Sequence, residues 1–125
     1  VDTSVIIDFI NRGENKKEIT ALLAAGEFCT TEIVIMEVLQ GIKEDSKFES
    51  IKRFMETLPL VRASYIDYIN AAGIYRQCRK KGSTIRKSID CIISSIVRRN
   101  KLTLFSIDKD FLEIKKHFNI SLFTE

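Results

Sequence analysis

STIRKSIDCIISSIVRRNKLTLFSIDKDF, residues 83–111, is the stretch whose reading decides the fold. Ile89, Ile92, Ile93, Ile96 and Val97 recur at the i, i+3, i+4, i+7, i+8 spacing of one helix face. Ser88 stands where an N-cap belongs, which puts Asp90 in the first turn of a helix packed on a core. Leu102 to Ile107 is too short an apolar run for a helix and is bounded by charge, so it predicts a strand buried on both faces. That strand delivers Asp108 at its carboxyl end, the edge where ligands collect in open α/β sheets.

Outward from this stretch, helices and strands alternate. Val1 to Ser4 reads as the end of a first strand, with Asp2 at its carboxyl end and Val5, Ile6, Phe9 and Ile10 continuing on a short helix. Ile19, Leu22 and Leu23 predict a second helix stopped by Gly26. Residues 28–30 form a short strand, and Thr31 caps a helix whose stripe of Ile35, Val38, Leu39 and Ile42 is interrupted by Glu37. An amphipathic helix over 47–57 ends before Pro59, and Leu60-Val61 suits an edge strand. Tyr65, Tyr68, Ile69 and Ala72 support a long helix to Lys81, closed by Gly82; the tyrosines suit core or dimer contacts. A last helix over 110–118 and a strand over 120–123 complete the chain. Such alternation predicts a parallel sheet with right-handed crossovers and helices on both faces.

The 125 residues, 45% apolar, carry no linker, so one domain over 1–125 is expected. No apolar run reaches the length of a membrane span and no signal-peptide pattern opens the chain, from which a soluble, cytoplasmic protein is expected. Cys29, Cys78 and Cys91 have no paired-ligand spacing and read as reduced core residues. His117, the single histidine, argues against a His-rich zinc site or a Ser-His-Asp triad. Catalysis, if any, falls to carboxylates. The net charge of +3 says little by itself about nucleic acid.

Four acids stand out: Asp2 and Asp108 at strand ends, Glu37 inside an apolar helix and Asp90 in the first turn of another. A charge moved unpaired into an apolar interior costs several kcal/mol, and few basic residues sit where they would neutralise all four. A hard divalent ion such as Mg²⁺ or Mn²⁺ would compensate them while leaving positions for phosphate. The alternative is that Asp90 and Asp108 merely cap helices. Asp110 either caps the last helix or supports the acids, Thr3 and Ser106 carry hydroxyls able to orient them, and Asp8, Asp45 and Asp67 are assigned to solvent.

Val-Asp2-Thr-Ser, Glu37 in TEIVIMEVLQG, Asp90 in SIDCII and Asp108 in LTLFSIDKDF together resemble the PIN domain, in particular the VapC toxins of toxin–antitoxin pairs. The resemblance covers nearly the whole chain, departing from the family pattern at Ile107, where Arg or Asn is common, and in a shortened first strand. It implies a three-layer α/β/α fold with a short, mostly parallel sheet of about five strands. It also implies a Mg²⁺- or Mn²⁺-dependent endoribonuclease whose ion or ions are held by Asp2, Glu37, Asp90 and Asp108. A VapB-like antitoxin would cover the acids with a basic segment and lie along apolar surface near Leu22, Leu23, Phe48 and Ile51, and a homodimer is expected. Arg79, Lys80, Arg86 and Lys87, ahead of the core helix, would hold RNA phosphates, whereas Arg98 and Arg99 at its far end would do little. A catalytically idle or solitary PIN-family RNA-binding protein is the nearest rival. A receiver-like Mg²⁺-binding signalling domain lacks its phospho-acceptor Asp after Leu60-Val61.

Overall fold

The structure is a computed structural model that describes residues 5–7, 21, 24–106 and 108–122. Among these, four strands, β1 (Val5–Ile7), β2 (Phe28–Cys29), β3 (Thr103–Phe105) and β4 (Ser121–Leu122), form one sheet in the order β2-β1-β3-β4, every pair parallel. Five helices, α1 (Glu32–Gln40), α2 (Asp45–Glu56), α3 (Tyr65–Lys80), α4 (Ser88–Arg99) and α5 (Lys109–Lys115), connect them. Val5 and Ile6 therefore lie in a strand and not in the expected helix. A three-residue β-branched apolar run is compatible with either period, and parallel pairing on both sides decides it. The expected edge strand at Leu60-Val61 is reduced to one parallel bridge, Thr30 to Leu60, because Pro59 has no N–H to extend the ladder.

Neighbouring residues of a strand point to opposite faces, and β3 shows what each face meets. Leu104 is buried with Ala71 and Ile74 of α3, Ile93, Ile96 and Val97 of α4 and Ile114 of α5. Phe105 is buried on the other side with Phe28, Met55 and Leu58. β2 alternates the same way, Phe28 in the second cluster and Cys29 in the first, so the sheet is the middle of three layers. Cys78 and Cys91 are fully buried and all three thiols are free; burial first, with Cys78 and the nearby acids adding to it, pushes the Cys91 thiol up to about 12.

Helix boundaries fall within a residue or two of the expected ones, except that the last helix ends at Lys115 and not at Phe118. Ala25 N–H donates to the Ala21 carbonyl, and Gly26 then takes φ +69°, the left-handed stop its position implied. Gly82 does the same after α3 with φ +84°. Ser88 opens α4 as its first helical residue, and Lys87 is the cap. On α3 the buried side is Asp67, Ala71, Ile74 and Cys78, while Tyr65, Ile66, Tyr68 and Ile69 are exposed. The Tyr65-Tyr68-Ile69 stripe is thus the outer face of that helix, not core.

Asp67 is the reason, and it corrects the assignment of that residue to solvent. Its carboxylate is fully buried and accepts from Arg99 Nε at 3.0 Å, Arg99 Nη2 at 2.7 Å, Ser95 Oγ at 2.8 Å and the Ser64 N–H at 2.9 Å. Arg99 and Ser95 lie at the end of α4, so this one acid pins α3 antiparallel to the core helix and turns the tyrosine stripe outward. Burial would raise its pKa, but the bonds from Arg99, Ser64 and Ser95 outweigh that and hold it at about 2. Asp67→Ala should cost about 3 kcal/mol at pH 7, the low end for a broken buried pair because Arg99 retains solvent contact. A group with a depressed folded pKa stabilises above its unfolded pKa and loses that contribution as pH falls through the folded value. The wild type's advantage in urea unfolding should accordingly shrink between about pH 4 and pH 2; a pH-independent deficit would mean that packing, not charge, is what Asp67 supplies.

Candidate metal centre

The carboxyl end of β3 and the amino end of α4 meet beside β1, where the chain has turned from β2 on one side to β3 on the other. That is the switch point of the sheet, the place where loops diverge and leave a cleft. Ser106 follows the strand; its Oγ accepts from the Asp108 N–H at 3.1 Å, which sets the turn. Asp108 then caps α5, its Oδ1 accepting from the Asp110 N–H at 3.0 Å. Asp90 arrives from α4 on the other side of the cleft.

Each of Asp90, Asp108 and Asp110 offers a carboxylate oxygen, and these oxygens all lie within 4.8 Å of one another. Asp110, expected only to cap or support, stands as one of the three. Glu37 lies on α1, half-buried, close enough for its charge to act on both Asp90 and Lys87. Asp2 and Thr3 fall outside the described residues, as does Asp8; Asp45 is exposed at the head of α2.

The cations ahead of α4 do not share one role. Lys87 Nζ is 3.0 Å from Asp108 Oδ2, and Arg86 reaches Asp108 at 3.6 Å and Asp110 at 3.4 Å, with its backbone N–H also donating to Asp110. Basic partners are therefore present for Asp108 and Asp110, and they come from the two residues adjoining Asp90's helix. Arg79 lies 5.8 Å over the Tyr75 ring, and Lys80 lines a groove with Arg98 and Arg99.

The electrostatics separate the three acids. Burial favours the protonated form of Asp108, but the Asp110 N–H, Lys87 and Arg86 outweigh it and lower its pKa. For Lys87, burial opposes its charge, and Asp108, Asp90 and Glu37 outweigh it, so its pKa is raised. Asp90 has no such support. Both of its oxygens are buried and receive no hydrogen bond from the described residues. Burial first, then Asp108, Asp110 and Glu37, push its pKa to about 8 against the pull of Lys87. A buried carboxylate without donors, beside two others at this spacing, fits a hard divalent cation. In octahedral coordination at about 2.1 Å, facing oxygens stand about 4.2 Å apart.

The PIN-domain family model matches residues 1–117, and the chain belongs to the PIN-domain family. Its relatives narrow the branch: ribonuclease VapC11 of Mycobacterium tuberculosis and VapC ribonuclease Mb1587 of Mycobacterium bovis are each 30% identical over 125 residues, 96% of this chain and 93% of theirs. Solved structures share the fold at lower identity. VapBC2 of Rickettsia felis, bound to a DNA fragment from its promoter, superposes with TM-score 0.74 at 19% identity over 96% of this chain and 97% of that one. VapBC-5 of Mycobacterium tuberculosis does so with TM-score 0.72 at 13% identity over 98% of both.

A group whose folded pKa is raised is stabilising while protonated and loses that contribution as pH rises toward the folded value. In metal-free buffer Asp90→Asn should therefore be more stable than the wild type, by an amount that grows from about pH 4 to about pH 8 and reaches a few kcal/mol. Urea unfolding at several pH values measures this. A variant less stable than wild type at pH 8 would show that Asp90 is ionised and well partnered.

Proposed function

We propose that the chain is an endoribonuclease that hydrolyses RNA phosphodiester bonds with Mg²⁺ or Mn²⁺, and that it is the toxin of a type II toxin–antitoxin pair in the cytoplasm. The observation that carries the chemistry is the Asp90, Asp108 and Asp110 group, in which Asp90 has no donor among the described residues. The substrate class is supported by the relatives' names and the partner by the VapBC complexes among the structural neighbours. Among the described residues no helix is long and apolar enough to cross a membrane.

When bound, a divalent ion lowers the pKa of a coordinated water and neutralises charge developing on the phosphoryl oxygens. Asp90, Asp108 and Asp110 would hold it with Glu37 close by, and Asp2, expected as a further ligand, lies outside the described residues. The protein's own groups have further work. The Asp108 cap bond and its Ser106 anchor fix that carboxylate's direction, and Lys87 and Arg86 stop three acids from repelling one another apart. The same two cations would meet phosphate as it approaches the acids. A VapB-like antitoxin presenting Arg would have to compete with them for the carboxylates. Its apolar contact would fall near the half-buried Phe48 and Ile51 of α2, Leu22 and Leu23 lying outside the described residues. Exposed Tyr65, Ile66, Tyr68 and Ile69 on α3 are the surface that suits a homodimer.

The test is incubation with a mixed RNA pool and Mn²⁺, with mapping of the cut ends. Cleavage should vanish with EDTA and fall by about 1,000-fold in Asp90→Asn, the loss of several kcal/mol of charge stabilisation. An Asp90→Asn protein that cuts at the wild-type rate would refute the assignment, and a wild type that binds RNA without cutting it would favour the idle RNA-binding reading.

A further inference from the structure

Between α3 and the end of α4 runs an open groove of about 630 Å³ whose rim carries Arg76 and Lys80 on one side and Arg98 on the other. All three are exposed, and among the described residues none of them makes an ion pair, whereas Arg99 at the same end is committed to Asp67. Arg98 is held in place by its guanidinium, 5.1 Å over the Phe118 ring. Gly73 forms part of the floor, and a Cβ there would meet nothing within 4 Å, so the floor stays open. Arg76 also borders a second hollow of about 500 Å³, lined by Tyr75, Ser88 and Arg86. Arg86 in turn is ion-paired with Asp108 and Asp110. Arg76 thus borders both hollows, Lys80 and Arg98 the first of them, and Arg86 joins the second to the acidic cluster.

We propose that this groove is a second binding site, which holds the phosphate backbone of single-stranded RNA one or more nucleotides away from the bond at the acids. It rests on the ribonuclease reading and adds how the strand is held. Arg76 and Lys80, one helical turn apart, are spaced about 6 Å along α3, close to the interval between neighbouring phosphates of a strand. Arg98 is about 12 Å along α4 from Asp90, so the groove engages substrate that the cleavage site cannot reach. Cations alternating with an aromatic such as Tyr75 are the composition that binds single strands without reading sequence. On this proposal Arg98, expected from its distance to Asp90 to do little, takes part through its neighbours across the groove. An acidic protein segment would satisfy the same cations, but a strand that runs from them to the acids also engages Arg86, which borders the second hollow and pairs with Asp108 and Asp110.

The experiment is fluorescence anisotropy of a labelled 12-nucleotide single-stranded RNA with the full chain in EDTA, where no cleavage occurs, across a salt series. Arg76→Ala/Arg98→Ala should weaken binding by about tenfold at 0.1 M salt and lower the log–log salt slope by about 1.4, two phosphate contacts at about 0.7 each. Gly73→Glu, a helix-favouring change into open space, should weaken binding comparably without loss of fold, checked by its melting curve. Variants that bind within about twofold of a wild type that does cleave RNA would overturn the groove alone. So would variants that keep RNA but lose a co-expressed antitoxin, since the groove would then be a protein dock. A wild type that neither binds nor cleaves RNA would overturn the ribonuclease reading and this proposal with it.

Discussion

Everything at the functional end of this molecule depends on one electrostatic constraint: a carboxylate, Asp90, is held at the buried head of the core helix without a hydrogen-bond donor from the described residues. The fold leaves it little freedom to escape. Cys91, Ile93, Ile96 and Val97 seat α4 against the sheet, and moving Asp90 into water would mean unseating that helix. The charge must therefore be met by a proton, by Lys87 nearby, or by a metal ion. Arg86 and Lys87, immediately before α4, and the Asp108 turn after β3 follow from the same need to balance charge in a closed space.

Asp67 shows how the molecule treats an acid that is only structural. It is as buried as Asp90, yet it has two guanidinium nitrogens, a hydroxyl and a backbone N–H, and its pKa falls to about 2 where that of Asp90 rises to about 8. The two acids sit at opposite ends of α4, one near its last turn and one in its first. At equal burial, it is the count of donors that drives the two pKa values apart.

Much of this was legible in residues 83–111, where helical spacing, a short apolar strand and an acidic turn follow one another without ambiguity, and their alternation with the other elements implies a parallel sheet. The errors came where period or partners are not local. Val5-Ile6-Ile7 is too short for its period to tell strand from helix, and only pairing with β2 and β3 decides it. Tyr65, Tyr68 and Ile69 have the spacing of a core stripe, but a partner 32 residues away, Arg99 on Asp67, rotates the helix so that they face out. Asp110 was legible as acidic and near Asp108, but its membership of the cluster depends on the turn that the Asp108 cap bond fixes.

The central claim, that Asp90 is kept protonated or metal-bound by its burial, is tested most directly by titration calorimetry of Mn²⁺ into the protein in buffers of different ionisation enthalpy. Ligands must be deprotonated to bind metal, so the account predicts release of close to one proton per site at pH 7, declining to none above about pH 9. Tight Mn²⁺ binding without proton release at pH 7 would contradict it, because Asp90 would then be already ionised in the metal-free protein.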